Sequence, residues 1–179
     1  MNKPFVILFN GVPGVGKTTL VKEFAKRSKF GAYTDVDHLR HFVIGGVIGA
    51  KEQNKDIKEF ERQRLLAVDN VVSLAKNFLQ YGFNYFIADL AKIPSVLARY
   101  NEKFKNLNFY HILLSPSLEE TIKRDATRQG VALHGAETVT KIYNHMQTID
   151  YTSWIKIDTT EKSVDEVIEL ICQRLNITI

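Results

Sequence analysis

Nine consecutive residues carry the clearest chemistry in this chain: Gly11, Val12, Pro13, Gly14, Val15, Gly16, Lys17, Thr18 and Thr19. Gly11, Gly16, Lys17 and Thr18 occupy the fixed positions of the pattern G-x-x-x-x-G-K-[ST]. Glycines let a backbone wrap a diphosphate with its N–H groups turned inward, in conformations that a Cβ obstructs. Lys17 can then reach the β/γ-phosphates, and the Thr18 hydroxyl is a ligand for Mg²⁺. A helix starting here adds the positive end of its dipole. All nine residues are therefore expected to hold the phosphates of a nucleoside triphosphate, with Lys17 also acting on the transferred group. A chance glycine turn would have the same composition, but its flanks argue otherwise. Pro4 to Phe9 is an apolar, β-forming run, and Leu20, Val21, Phe24 and Ala25 recur at helical spacing.

Transfer of a phosphoryl group to a hydroxyl needs a base for the proton and a group that organises the metal. Asp35 and Asp37 stand two apart at the end of a short strand-like run and can divide those roles. Asp37 is favoured as the base and Asp35 as the metal-side group, both bordering the acceptor. The competing reading makes Asp37 the N-cap of the following helical turn. Arg40, one turn beyond Asp37, borders the acceptor pocket as a ligand for an anionic or hydroxylated substrate, or else forms a surface ion pair with Asp37. Asp89 ends the run Tyr85-Phe86-Ile87-Ala88, where a second carboxylate on the Mg²⁺ side is expected, with a strand-end cap as the alternative. Arg124 and Arg128, four apart on one helix face, suit the charge of a moving γ-phosphate. They could instead stack on adenine or pair with Glu120 and Asp125. The five histidines, at 38, 41, 111, 134 and 145, show no metal-ligand spacing.

The elements that must position these residues alternate strand and helix. Strands are expected at about 5–10, 32–36, 84–89, 108–114 and 154–158. Helices are expected at about 17–28, 37–43, 56–81, 94–105, 117–129, 136–149 and 163–175. Gly82 suits the end of the long helix, and Ser117 with Glu120 and Ser163 with Glu166 read as capping boxes. Such alternation implies an α/β parallel sheet with helices on both faces. Ligands bind such sheets beyond the carboxyl ends of the strands, the edge that would carry the glycine loop, Asp35, Asp37, Asp89 and Ser115.

The 179 residues read as a single domain, 1–179, with 45% apolar and 25% charged residues and a formal charge of +4. That mild positive balance suits an anionic substrate without requiring nucleic acid. The lysine-rich stretches 51–58 and 102–105 are interspersed with acids, so nucleic acid is not the expected partner, although an ATPase acting on nucleic-acid ends is the alternative function. Cys172 is the single cysteine and reads as a core residue, which excludes an internal disulfide. No apolar run reaches membrane-spanning length, and a cleaved leader would remove the first strand, so a cytoplasmic protein is expected. Asn54-Lys55-Asp56-Ile57 lacks the last Asp of a guanine-reading Asn-Lys-x-Asp motif, which favours ATP.

Asp35-x-Asp37-x-x-Arg40 behind the glycine loop resembles small P-loop kinases of the nucleoside-monophosphate-kinase-like group. Adenylylsulfate kinase, shikimate kinase, chloramphenicol phosphotransferase and the zeta-toxin kinases look similar here. The stretch Asp37 to Gly46, with Gln63, Asn70 and Gly82-Phe83-Asn84, is most similar to an uncharacterised phosphotransferase-like ATPase group. The resemblance covers nearly the whole chain. It implies a three-layer P-loop NTPase fold with a five-stranded sheet in order 2-3-1-4-5. It also implies a small lid at about 129–136, an acceptor-site region at about 37–63, and an Asp37 base. The expected activity is ATP- and Mg²⁺-dependent phosphotransfer to a hydroxyl of a small molecule. Arg40 is the one anion binder that stands out in the acceptor region.

Overall fold

A computed structural model describes residues 3–49, 52, 55–128 and 133–179. These build a parallel sheet of β1 (Val6–Asn10), β2 (Gly31–Asp35), β3 (Asn84–Ala88), β4 (Phe109–Leu114) and β5 (Ile155–Ile157) in the order β2-β3-β1-β4-β5. The helices are α1 (Lys17–Arg27), α2 (Val36–Arg40), α3 (Ile57–Gln80), α4 (Pro94–Phe104), α5 (Leu118–Ala126), α6 (Ala136–Gln147) and α7 (Val164–Leu175). Every strand pair is parallel, as crossover helices require.

The central strand explains itself. Every residue of β1 is buried, so Val-Ile-Leu-Phe runs without polar interruption until Asn10. Phe24 of α1 packs between Phe9 and Phe86, with ring centroids 5.3 and 5.4 Å away. Truncating such a ring to alanine costs about 3–5 kcal/mol. At the long helix α3, Asp56 caps the first turn by accepting the Glu59 N–H. Gly82 ends that helix at φ 82°, with the Phe83 N–H returning to the Phe78 carbonyl, a left-handed stop that favours glycine.

The elements agree with the sequence reading, with three differences that bear on the site. Helix α2 is capped by Asp35, whose side chain accepts the Asp37 N–H at 3.2 Å, so the cap is not Asp37. Ser117 caps α5, but Glu120 does not close a capping box because its carboxylate is turned to Arg124. Ser163 and Glu166 do close one at α7. Helix α5 ends at Ala126, so Arg128 lies beyond its C-cap Thr127, while Ser115 sits at the expected edge, directly after β4. No helix among the described residues is long and apolar enough to cross a membrane.

Candidate active site

The glycine loop leaves β1 and turns straight into α1. Gly11, Gly14 and Gly16 all have positive φ, at 149°, 88° and 98°. A Cβ on Gly11 would stand 2.8 Å from the Leu114 carbonyl oxygen, so the loop can lie against β4 only without one. Buried Asn10 fixes the entry: its Oδ1 accepts from the N–H groups of Gly11 and Ala91, and its Nδ2 donates to the Ala91 carbonyl. Gly16 caps α1 without any side chain accepting from the first turn, whereas α3, α5 and α7 are capped by Asp56, Ser117 and Ser163. The first N–H groups of α1 are thus left for a ligand's oxygens. Lys17 Nζ donates to the carbonyls of Gly11 at 2.7 Å and Val12 at 3.0 Å. Burial lowers its pKa to about 8, against the opposing pull of Asp37, Asp35 and Asp89.

Two expected metal-side groups meet directly. Thr18 Oγ1 donates to Asp35 Oδ2 at 2.7 Å, joining the start of α1 to the end of β2. Hydroxyl and carboxylate oxygens are the hard donors Mg²⁺ takes. Asp37 follows on α2 with its side chain 60% exposed. Arg40 Nη1 donates to Asp37 Oδ1 at 3.2 Å, so the ion pair weighed from the sequence is present. Arg64 Nη1 lies 3.8 Å from the same oxygen. Both contacts fall on Oδ1, leaving Oδ2 without a partner among the described residues.

Asp89 is held differently from expectation. Its Oδ1 accepts from Arg64 Nη2 at 2.5 Å and its Oδ2 from the Tyr100 hydroxyl at 2.9 Å, at 3% exposure. It borders the cleft, with its charge already met by the Arg64 guanidinium. Arg64 is the residue that sequence reasoning missed. In α3 it is one polar residue on an apolar face, and only the approach of β3 reveals its role. Its position beside Gln63, also buried, was the available signal. Gln63 pins the segment before α3 by donating to the Gly46 carbonyl and accepting the Ile48 N–H.

Arg124 lies in α5, whereas Arg128 follows the C-cap Thr127, so the helix expected to carry both on one face ends before the second. Arg124 donates to Glu120 at 2.7 Å and to the Thr159 carbonyl at 2.7 Å, a planar group fixed beside the loop after β5. Arg128 lines the same cleft as Lys17 and pairs with the buried Asp125 at 3.5 Å. Of the expected lid, residues 129–132 lie outside the described residues. Its return is tied down: Asp125 Oδ2 accepts the N–H groups of His134 at 3.0 Å and Gly135 at 2.9 Å. One cleft of roughly 420 Å³ joins the glycine loop, Asp35, Asp37, Asp89, Arg124 and Arg128, and ends at Thr159, Lys162 and Val164. That volume suits a small organic ligand.

No family model matches the sequence, and no curated protein matches it at a significant level. Solved structures do. The tunicamycin resistance protein of Deinococcus radiodurans superposes with a TM-score of 0.68 at 18% identity, over 99% of this chain and 98% of its own. A gluconokinase from Sinorhizobium meliloti 1021 gives 0.68 at 14% identity, over 98% and 94%. Shikimate kinase from Bacteroides thetaiotaomicron gives 0.69 at 16% identity, over 97% and 99%. At these identities the likeness is one of fold, and this chain, with its sheet order and glycine loop, has the fold of the small P-loop kinases.

Proposed function

We propose that this chain is a kinase that moves the γ-phosphate of ATP to a hydroxyl of a small molecule. The observation that carries the reading is the single cleft in which Lys17, Thr18 and the glycine loop face Asp35 and Asp37 across one gap, with Arg128 beyond. The loop N–H groups and Lys17 would bind and orient the phosphates. Thr18 and Asp35 would hold Mg²⁺, which when bound neutralises β- and γ-phosphate oxygens. The acceptor hydroxyl would give its proton to Asp37 Oδ2, the oxygen with no partner among the described residues. Arg128 would meet the charge that develops on the transferred group. Arg124, fixed flat between Glu120 and Thr159, suits the face of the adenine rather than the phosphates. The expected lid, whose described end at His134 and Gly135 is held by Asp125, would close over the cleft and exclude water.

The fold neighbours support this reading in kind: a gluconokinase and shikimate kinases are named for small hydroxylated acceptors. A nucleic-acid-end role draws less support, since Lys103 is paired with Glu102 and Lys55 with Glu52. The decisive experiment is Asp37→Asn. Acceptor phosphorylation should fall by at least about a hundred-fold while ATP affinity changes less than about two-fold. Near-normal turnover would remove Asp37 from the mechanism.

A further inference from the structure

We propose that the edge of the sheet opposite the cleft docks on an anionic lipid bilayer, its apolar tips entering the headgroup layer between lysines. The proposal goes beyond the kinase reading and does not depend on it.

The strands are parallel, so their amino ends lie together, away from the glycine loop. Hydrogen bonds tie those ends into one row. The Asn84 N–H donates to the Phe30 carbonyl at 2.9 Å, and the Phe5 N–H donates to the Asn84 side chain at 3.2 Å. The Val6 N–H donates to the Asn108 carbonyl at 2.8 Å. The connections entering β2, β3, β1 and β4 therefore stand side by side. Together they span three strand spacings, about 14 Å. Three of them carry an exposed aromatic or aliphatic side chain: Phe30 at 51%, Tyr81 at 77% and Leu107 at 36%.

Lysines are interspersed with these side chains. Lys3, Lys29 and Lys105 are exposed on the same connections and form no ion pair among the described residues. The acids at the helix ends beside them are already matched. Glu23 is held by Lys26 at 2.8 Å and by Arg27 at 3.7 Å, and Glu102 faces Lys103 at 3.7 Å. The edge is left positive, with apolar tips between the charges.

A second copy of the chain would set lysine against lysine across a two-fold interface. A stable protein partner needs roughly 800 Å² of surface, far more than one row of tips offers. A nucleic acid needs open ring faces on which its bases stack. The Phe30 ring is covered by Lys29 Nζ, 5.6 Å from its centroid, and lies 5.5 Å from the Phe83 ring. A bilayer requires only apolar tips with lysines around them. Docked this way, the cleft at the opposite edge stays open to water.

The test sediments the whole chain with vesicles of phosphatidylcholine alone, and of phosphatidylcholine with about a third phosphatidylserine. Binding is expected to the anionic vesicles only, weakening at least about ten-fold between about 0.1 and 0.5 M salt. Lys29→Gln and Lys105→Gln should each weaken it about five-fold, and Tyr81→Ser by roughly the same factor. Tyr81→Ser guards against a folding defect, because that side chain is exposed. No binding to the anionic vesicles overturns the proposal, as does equal binding to the neutral ones. Binding that the lysine variants leave unchanged overturns it too. A single-stranded oligonucleotide bound more tightly than the vesicles, through the same lysines, would assign the edge to nucleic acid instead. ATP affinity should be unchanged in every variant; failure of the wild type to bind ATP would overturn the kinase reading alone.

Discussion

Lys17 combines two opposed demands. It must be charged to hold phosphates, yet burial brings its pKa down to about 8. The ordinary lysine value is higher, so between the two values the unfolded chain binds a proton that the folded chain has lost, and stability rises with pH across that window. Nucleotide binding runs the other way. Below about pH 8 the ammonium is already formed and ATP affinity should be flat in pH. Above it, binding must draw a proton in, so affinity should weaken by up to about ten-fold per pH unit. Calorimetry at pH 8.5–9 in buffers of different ionisation enthalpy would detect that uptake; an affinity unchanged up to about pH 9.5 would refute it. The meeting of this half was legible because it follows from local spacing: the glycine loop, Thr18, and the pair Asp35 and Asp37 share one cleft. Arg64 was not, because a buried arginine becomes intelligible only through Asp89 and Tyr100, which lie 25 and 11 residues from their respective partners. Asp89 shows the same limit from the other side. Its strand-end position read as metal-directed, and a partner from another element took the carboxylate first.

Among the elements, α5 does the most to join the two ends of the cleft. It presents Arg124 to the cleft, leads into Arg128 just past its C-cap, and keeps Asp125 at 1% exposure inward. Burial alone would raise the Asp125 carboxyl, but the N–H groups of Gly135 and His134 outweigh it and hold it below the ordinary carboxylate range. A depressed carboxyl contributes stability above its unfolded pKa and loses it as pH falls through the folded value. That contribution should therefore be intact at neutral pH and disappear only in acid. Gly135 is the cap of α6 and no side chain caps that helix, so Asp125 substitutes for one from a distance. Asp125→Ala should destabilise the chain by about 1–3 kcal/mol in urea and speed hydrogen exchange at the amides of 134–138. Exchange there at the wild-type rate would mean that Asp125 does not tether the lid's return. The tether could not be read from the sequence, where Asp125 looked only like a partner for an arginine on a solvated face; that pairing is present with Arg128 at 3.5 Å, but the carboxylate is buried. The capping residues of α5 and α7 were legible because a cap is a local pattern; a tether spanning about ten residues is not.

At the scale of the molecule, the sheet order brings together loops from opposite ends of the chain. The cleft takes residues from the exits of β1, β2, β3 and β5 and from α5, which are joined there by Asn10, by Thr18 with Asp35, and by Arg124 with Thr159. A nucleotide bound across them acts as a cross-link that exists only in the folded state. At about a hundred times its dissociation constant it should add about 2.7 kcal/mol of stability. For a chain of this size that raises Tm by roughly 5–10 °C. Lys17→Ala separates this linkage from folding itself. The substitution removes a cation whose burial already opposes its charge, so without nucleotide the variant should be as stable as the wild type or slightly more so. With ATP and Mg²⁺ at the same concentrations its Tm should not rise, because the phosphates lose their main counter-charge. A thermal scan of both proteins, with and without nucleotide, measures all four values. An equal rise in the two proteins would mean that the nucleotide binds somewhere other than the glycine loop. A variant that is markedly less stable without nucleotide would mean that Lys17, through the carbonyls of Gly11 and Val12, holds the loop together as well as the ligand.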